Sequence, residues 1–242
     1  MLIAIDIGNT NISFGVFRGR RIVRRFSCPT AAYSRRKINR KILSRVTATI
    51  ICSVVPHLTQ RLARDLYRLT GIRPYIIGKD VLVPIRNLYR RPAQVGQDRL
   101  VNAYAAFFSY GAPLIVIDFG TAVTFDVVSQ KREYLGGMIL PGLKISLDSL
   151  AQRTALLPSI RLTSPAEFIG RDTKNSMLSG IVYGFSSLVD ELCRKIKKKL
   201  GSKARVVATG GDAGLIGRYC RVINKIDKDL TLKGLALIMN KI

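Results

Sequence analysis

The chain has 242 residues, enough for one large or two small domains with a buried core, and its 48% hydrophobic and 23% charged content excludes a disordered or fibrous protein. Forty Lys and Arg against fifteen Asp and Glu give a formal net charge of +25, a field that attracts polyanions. The densest basic runs, 18–25, 35–45 and 194–199, lack the interleaved aromatics of single-strand nucleic-acid platforms. Because the cations are otherwise scattered, we expect nonspecific binding of nucleic acid at most.

The cysteines and the N-terminal segment indicate in which cellular compartment the protein functions. Four cysteines lie far apart without a CxxC pair, and His57 is the one histidine, so the spacing predicts no zinc site and leaves disulfide pairing open. The first apolar run contains Asp6 and follows no basic leader, which is not typical of a signal peptide. We therefore expect a cytoplasmic protein.

The first half of the chain alternates strand-like and helix-like patterns. Apolar and β-branched runs predict strands at Leu2–Ile7, Ile12–Phe17, Arg21–Phe26, Thr47–Val55 and Pro74–Ile77. Between the last two strands, leucines at helical spacing predict a helix that begins at Pro56 and ends at Gly71.

The uncharged stretch 100–117 reaches the length of a membrane helix, but Asn102 and the Gly-Ala-Pro at 111–113 interrupt it. It predicts instead a helix that starts near Gly96, a turn, and a buried strand from Leu114. Further strands are predicted from Thr121 and at Arg205–Ala208, and helices at Leu143–Gln152, Lys174–Leu200 and Leu230–Met239. The mixture predicts an α/β fold.

The opening of the chain recurs. Leu2–Gly8 aligns with Leu114–Gly120, 112 residues later, and each copy is an apolar strand that ends in Asp-x-Gly before a second strand. Two unrelated hydrophobic strands could match by chance, but the shared Asp-x-Gly favours an internal repeat. We predict two similar lobes, 1–112 and 113–242, each beginning with strand, turn and strand.

Common catalytic signatures are absent from the sequence. It contains no G-x-x-x-x-G-K-[ST] loop, no G-x-G-x-x-G loop and no G-x-S-x-G elbow, and one histidine leaves little room for a Ser-His triad. A nucleotide site would therefore have to use a different loop.

The segment Asp6–Asn11 offers such a loop. A tight glycine turn at Gly8 exposes backbone N–H groups, and the Asn and Thr side chains add donors to phosphate oxygens. Asp6 could hold Mg²⁺ through water, since Mg²⁺ keeps much of its hydration shell. An ordinary hairpin turn is the alternative. Together with the second turn, Asp118–Thr121, two facing loops could clamp a polyphosphate in a cleft.

Two further segments carry candidate chemistry. Asp98, at a predicted helix start, could accept the proton of a substrate hydroxyl or could only stabilise the first helical turn. The planar guanidinium of Arg99 suits a carboxylate or phosphate. The glycines of Thr209–Gly211 could let the backbone approach a flat ligand such as adenine, or could form a helix-entry turn.

Taken in order, these segments resemble type III pantothenate kinases, of the superfamily that includes acetate kinase, sugar kinases and actin. Each matching stretch is short, but together they span nearly the whole chain in family order. They are DIGNTN (6–11), YRRP (89–92), GQDR with the later Asn (96–102), DFGTAVTFD (118–126), GGMILPG (136–142), TALLP (154–158), IGRDT (169–173), SGIVYG (179–184) and ATGG (208–211).

The resemblance implies a two-lobed actin-like (ribonuclease H-like) fold, with duplicated βββαβαβα lobes and an interlobe cleft. It implies ATP-dependent phosphorylation of pantothenate, the first step of coenzyme A synthesis, with Mg²⁺ and a monovalent cation, K⁺ or NH₄⁺. The family is homodimeric, with substrate sites at the subunit interface, and has no membrane anchor.

The resemblance also assigns roles to residues. Asp98 matches the proton acceptor, and Asp118 matches the position that holds the monovalent cation. The matches to ATP-binding positions are Asp6, Gly8, Asn9, Thr10, Asn11, Ser13, Thr121, Gly210 and Gly211. The matches to pantothenate-binding positions are Tyr89, Gly96, Gln97, Asp98, Arg99 and Thr173.

Two alternative functions are open at this point. A catalytically idle relative could act as a regulatory or nucleic-acid-binding protein, which the +25 charge would favour. Another small-molecule kinase on the same fold is the second alternative. Gln97 departs from the Ala common in the family's Gly-x-Asp-Arg segment, whereas the acidic residues are retained.

Overall fold

The computed structural model describes residues 1–35, 38 and 45–242, so most of the basic run at 35–45 lies outside the described residues. The described chain divides into two compact units. The first comprises Met1–Ser109 together with Asp229–Ile242, and the second comprises Tyr110–Lys228. The predicted lobes 1–112 and 113–242 differ from these units mainly at the C-terminus, where the last segment joins the first unit.

The first unit contains six strands and two helices before the C-terminal segment, within the described residues. They are β1 (Leu2–Ile7), β2 (Asn11–Arg18), β3 (Arg21–Pro29), β4 (Ala48–Ser53), α1 (Pro56–Thr70), β5 (Tyr75–Ile76), β6 (Arg86–Asn87) and α2 (Gln97–Tyr110). Short 3₁₀ turns lie at Thr30–Ala32 and Pro92–Gln94.

The second unit contains β7 (Leu114–Phe119), β8 (Ala122–Val128), β9 (Glu133–Pro141), α3 (Leu143–Arg153), α4 (Thr173–Leu200), β10 (Arg205–Thr209), α5 (Ala213–Ile216) and β11 (Lys225–Ile226). The last helix of the chain, α6 (Leu230–Met239), belongs to the first unit.

The two units share one sheet topology. In the first, the strands lie in the order β3-β2-β1-β4-β5, with β1 antiparallel to β2 and parallel to β4. In the second, the order β9-β8-β7-β10-β11 repeats this pattern, with β7 antiparallel to β8 and parallel to β10. Strands β1 and β7 occupy equivalent places in the two sheets, and they start 112 residues apart as the aligned Asp-x-Gly segments do. The shared strand order and this spacing confirm the predicted repeat.

Strand alternation decides which residues of the first sheet form its core. Ile3, Ile5 and Ile7 pack with Leu62 and the other buried leucines of α1 on one face. Successive side chains of a strand point to opposite faces, so Asp6 is directed away from α1. The second sheet follows the same rule, since Ile115, Ile117 and Phe119 pack with the buried face of α4 and leave Asp118 on the opposite face.

Helix α6 covers the face of the first sheet that α1 leaves open. It contacts β1, β2 and β4, and the Thr231 hydroxyl donates to Asn102 Oδ1 of α2 at 2.7 Å. A Cβ at Gly234 would stand 2.7 Å from Val101 Cγ1 and 2.8 Å from the Val101 carbonyl oxygen. Helices α2 and α6 therefore approach closely at a glycine, which fixes α2 on the Asp6 side of the sheet.

Most predicted elements are confirmed. Helix α1 ends at Gly71, whose φ of 71° is the left-handed conformation favoured after a helix, and α6 has the predicted bounds. The uncharged stretch 100–117 resolves into α2, a turn and β7. No helix among the described residues has the length and apolarity that crossing a membrane requires.

The third strand of the second unit, β9, is implied by the family's βββαβαβα lobes but is not predicted by the local residue pattern. Gly136 and Gly137 resemble a turn, yet both lie within the strand. Gly136 has a φ of 116°, next to a register shift at Val127/Val128 in β8. Val127 pairs with Gly136 and Val128 with Tyr134, so Leu135 is the extra residue of a bulge in β9, and Gly136 beside it adopts a φ that other residues avoid.

The close approach of α2 and α6 predicts a test of packing. Gly234→Ala should destabilise the protein by about 1–3 kcal/mol, because the added methyl meets backbone as well as side chain. Gly180→Ala, in α4, is the matched control because its added Cβ has nothing within 4 Å. It should stabilise by about 0.5–1 kcal/mol through helix propensity. Urea unfolding of both variants measures the difference, and equal effects would contradict the packing argument.

Candidate active site

The first acidic turn joins β1 to β2. The Gly8 N–H donates to the Asn11 carbonyl at 3.0 Å, which closes the turn and leaves Asn9, Thr10 and Asn11 exposed. Thr30 secures the loop from outside. Its hydroxyl donates to the Gly8 carbonyl at 2.7 Å, and its N–H donates to the Thr10 carbonyl at 2.9 Å. The turn thus presents amide and hydroxyl groups on a tied backbone, as a phosphate-binding loop requires.

Cys52 connects this turn to the predicted proton acceptor. It lies in β4 beside Asp6 in the parallel register and is fully buried. Burial first, and the negative charges of Asp6 and Asp98 second, raise the pKa of the Cys52 thiol well above its ordinary value. The charges of both carboxylates therefore act in the same direction on one buried thiol.

Asp98 lies in the first turn of α2. Its Oδ1 accepts the Arg99 N–H at 2.9 Å, and a Cβ at Gly96 would stand 2.5 Å from that oxygen. Burial raises the pKa of the Asp98 carboxyl, while the N–H and the charge of Arg99 act in the opposite direction. A desolvated carboxylate held by a helix N-terminus and preceded by glycine is suited to accept a proton from a substrate hydroxyl.

The neighbours of Asp98 are also positioned by local contacts. Arg99 is 8% exposed, so its guanidinium is largely removed from water. A Cβ at Gly78, where φ is 81°, would stand 2.8 Å from Gln97 Cδ, so the Gln97 side chain packs on the Gly78 backbone. The Tyr89 N–H donates to Asn87 Oδ1 at 3.0 Å, which shapes the segment between β6 and α2.

The second acidic turn joins β7 to β8 in the second unit. The Gly120 N–H donates to the Ala122 carbonyl at 3.1 Å, and Thr121 is exposed at the tip. Gly210, with a φ of 95°, places its backbone against Asp118 Oδ1 and Phe119, where a side chain would not fit. The Asp212 N–H also donates to the Phe119 carbonyl at 3.1 Å, so this segment is tied to the end of β7.

Gly211, next along the chain, is exposed, and Thr173 lies elsewhere in the second unit, as the first residue of α4. Asp172 precedes Thr173 as the helix cap and accepts the Asn175 N–H at 2.8 Å. The structure therefore groups Asp118, Thr121 and Gly210 around one turn and puts Thr173 at a helix N-terminus.

The donor sets fit the implied ions. Among the described residues no group of three or more His, Cys, Asp or Glu could hold a metal ion. Mg²⁺ keeps several waters and binds through one or two carboxylates plus substrate phosphates, so a single Asp6 at the phosphate turn matches its requirements. At Asp118, a Cβ on Gly210 would overlap Oδ1 and would stand 2.6 Å from the Phe119 carbonyl oxygen, so a carboxylate and a backbone oxygen lie together there, and a monovalent cation accepts such ligands.

Some residues of this region were missed by the sequence reading. Thr30 follows β3, about twenty residues after the loop that it ties, and Cys52 belongs to a different strand from Asp6. No local pattern marks either residue, because each acts through a contact between distant segments. The roles of the predicted site residues stay predictions.

Comparison with known proteins is consistent with this arrangement. Residues 2–195 match the family model described as type III pantothenate kinase. The chain is 41% identical over 252 residues to a type III pantothenate kinase of Myxococcus xanthus, with 100% of this chain and 98% of the relative covered. It is 40% identical over 256 residues to one of Moorella thermoacetica, with 100% and 99% covered.

Solved structures show the fold. A protein of Campylobacter jejuni, described as a candidate Baf family transcriptional activator, aligns with a TM-score of 0.62 at 20% identity, covering 99% of this chain and 98% of that one. The ethanolamine utilization protein EutJ of Carboxydothermus hydrogenoformans aligns at 0.55 and 13% identity, covering 98% and 89%. With two units of one duplicated topology and full-length identity near 41%, the chain belongs to the type III pantothenate kinase family.

Proposed function

We propose that the protein transfers the γ-phosphoryl group of ATP to the primary hydroxyl of pantothenate, giving 4′-phosphopantothenate in the first step of coenzyme A synthesis. Full-length membership of the family supports this reaction. The structural observation that carries it is Asp98, a partly buried carboxylate in the first turn of α2 whose Oδ1 accepts the Arg99 N–H at 2.9 Å. Apart from the net charge of +25, no observation favours a regulatory or nucleic-acid-binding role instead.

The chemistry divides between positioning and charge neutralisation. Phosphoryl transfer needs little covalent participation by the protein. The exposed amides and hydroxyl of Asn9, Thr10 and Asn11 hold the phosphates, and Asp98 accepts the hydroxyl proton of pantothenate. When bound, Mg²⁺ and a monovalent cation, K⁺ or NH₄⁺, would neutralise charge on the transferred group. Asp6 and Asp118 are the residues that would hold them.

The remaining assignments are the residues expected to contact ATP and pantothenate. The other expected ATP contacts are Gly8, Ser13, Thr121, Gly210 and Gly211. For pantothenate, the expected contacts are Tyr89, Gly96, Gln97, Arg99 and Thr173. The buried guanidinium of Arg99 is suited to the pantothenate carboxylate, since a desolvated Arg–carboxylate pair is stronger than an exposed one. We expect these reactions in the cytoplasm.

Asp98→Asn is the first test. The variant should lose about 10²–10⁴-fold in turnover, because an amide cannot accept the hydroxyl proton. Phosphopantothenate formation from ATP, Mg²⁺, K⁺ and pantothenate measures the loss. Asp148→Asn, the same change on the surface of α3 beside Lys144, is the control and should keep full activity. Wild-type turnover in Asp98→Asn would remove Asp98 from its role.

The raised pKa of Asp98 predicts a pH effect on rate. The ionised carboxylate is the active form, so activity is lost as pH falls through the raised pKa. The acid limb of kcat/KM should therefore have its midpoint above about 3.9, the ordinary value of an Asp side chain. A rate series from about pH 2.5 to pH 8 covers values on both sides of the ordinary pKa of about 3.9 and locates this midpoint. An acid limb centred at or below the ordinary value would contradict the assignment.

The same shift predicts an effect on stability. Because the folded pKa lies above the unfolded one, the folded state binds the proton more tightly, and stability falls as pH rises between the two values. At neutral pH the charged Asp98 therefore costs stability. Asp98→Asn should unfold at an equal or higher temperature than the wild type at pH 7, and a clear loss of stability would contradict the cost.

We further propose a homodimer that involves the second unit. Large hydrophobic side chains there are exposed, as expected of a surface that a second copy covers. In the segment 135–169 they are Leu135, Met138, Ile139, Ile145, Leu156, Phe168 and Ile169.

Leu156 offers a test of the dimer. It is 91% exposed, so Leu156→Asp should not disturb the folded unit but should shift the dimer towards monomer. Leu82→Asp, at a residue of the first unit that is 77% exposed, is the matched control and should stay dimeric. Light scattering after gel filtration measures both masses, and a monomeric wild type would refute the dimer.

A further inference from the structure

A buried polar network lies on the face of the second sheet opposite α4. The Tyr134 hydroxyl donates to Asp126 Oδ1 at 2.8 Å, and the Thr124 hydroxyl donates to Asp126 Oδ2 at 3.1 Å. Asp126 and Tyr134 are both fully buried. Removing a carboxylate from water is costly even when hydroxyls compensate it, so its presence here calls for a physical reason.

The network lies beside the predicted cation position. Thr124 is the direct cross-strand partner of Asp118 in the antiparallel pair of β7 and β8. Directly opposed side chains leave the sheet on the same face, with Cβ atoms about 4.5–5.5 Å apart. Val123 and Phe125 point to the α4 face, so Thr124 and Asp126 share the other face with Asp118.

The hydrogen bond to Asp126 determines what the Thr124 oxygen can do. A hydroxyl has one donor hydrogen and two acceptor lone pairs, whereas an ionised carboxylate can only accept. Because the Thr124 proton is directed at Asp126, Oγ1 has lone pairs left to offer to a neighbour. An oxygen in that state can bind a cation, while a hydroxyl that pointed its hydrogen at the ion would oppose binding.

We propose that Thr124 Oγ1 is a ligand of the monovalent cation at Asp118 and that Asp126 is the positioning residue that holds this oxygen in its acceptor orientation. The proposal rests on the proposed function, because it deepens the cation site of that reaction. K⁺ is held in proteins by oxygen atoms that replace its hydration shell, and Asp118 and Thr124 supply two of these. The Tyr134 hydroxyl, which donates to Asp126 Oδ1, holds that carboxyl group in place.

A purely structural role for Asp126 makes different predictions. If it served only to tie β8 to β9 through Tyr134, its replacement would lower stability equally with and without K⁺. Replacement of Thr124 would then leave the cation requirement unchanged. The effect of K⁺ concentration on each variant therefore distinguishes the two roles. This comparison holds whether or not the substitution also lowers the stability of the protein.

The experiment uses the full chain, purified free of K⁺ and NH₄⁺. The variants are Thr124→Val, Thr124→Ser and Asp126→Asn. Ser129→Ala is the control, because the Ser129 hydroxyl makes the same kind of bond, to Glu133 Oε2 at 3.2 Å, in the hairpin between β8 and β9. Two readouts are taken: the shift in unfolding temperature between KCl and choline chloride at constant ionic strength, and the K⁺ concentration for half-maximal rate.

KCl should raise the unfolding temperature of the wild type, of Thr124→Ser and of Ser129→Ala. Thr124→Val and Asp126→Asn should each need about 10–100-fold more K⁺, the usual effect of removing a ligand's support. Because both changes act on one oxygen, the double variant should be no worse than the more impaired single variant.

An unchanged K⁺ requirement in Thr124→Val, together with phosphopantothenate formation by the wild type, would overturn this inference and leave the proposed function standing. A wild type without any response to K⁺ in either readout would also overturn it. Absence of phosphopantothenate with an intact thermal response to K⁺ would instead refute the proposed function alone.

Discussion

The two-residue period of the strands is the constraint on which both acidic turns depend. In β1, the side chains of Ile3, Ile5 and Ile7 pack in the core against α1, and strand alternation therefore directs Asp6 to the other face. In β7 the same alternation directs Asp118 away from α4. A shift of one residue in either strand would bury the carboxylate in the apolar core, so the hydrophobic pattern and the position of the acid fix each other.

The helices that cover the Asp6 face then determine which groups meet there. Helix α6 returns from the end of the chain to this face, and its glycine at position 234 lets α2 approach closely. The N-terminus of α2 carries Asp98, and burial raises the pKa of its carboxyl. Stability and chemistry are in conflict at Asp98, because the desolvation that suits a proton acceptor disfavours its charged form in the folded state.

The sequence predicted the parts of the fold that are local or repeated. The Asp-x-Gly repeat gave the duplicated topology, and helical spacing with Gly71 gave α1, because capping and periodicity act within one segment. The local pattern did not predict β9, since a Gly136–Gly137 pair favours a turn unless the bulge beside it in the same strand is known. The return of α6 to the first unit was also unpredictable, because an apolar helix does not encode which sheet it covers.

The candidate site likewise contains segments that local sequence predicts and residues that it does not. Short segments such as Asp6–Asn11 and Gly96–Arg99 are recognisable because the residue types and their spacing carry the chemistry. Thr30, Cys52 and Asp126 were not recognised as parts of the site. Thr30 and Cys52 act through contacts between distant segments, and the orientation that Asp126 gives a hydroxyl exists only once the strands pair.

The duplicated turns share one backbone arrangement but carry different side chains. Both turns close with a glycine N–H bond, from Gly8 to Asn11 and from Gly120 to Ala122. The first then exposes amide and hydroxyl groups, which can donate to an anion. In the second, Gly210 packs a backbone against Asp118, and the hydroxyl opposite it donates elsewhere, so oxygen lone pairs predominate. The groups around the common strand pattern therefore differ, with amide and hydroxyl side chains at the first turn and a carboxylate against backbone at the second.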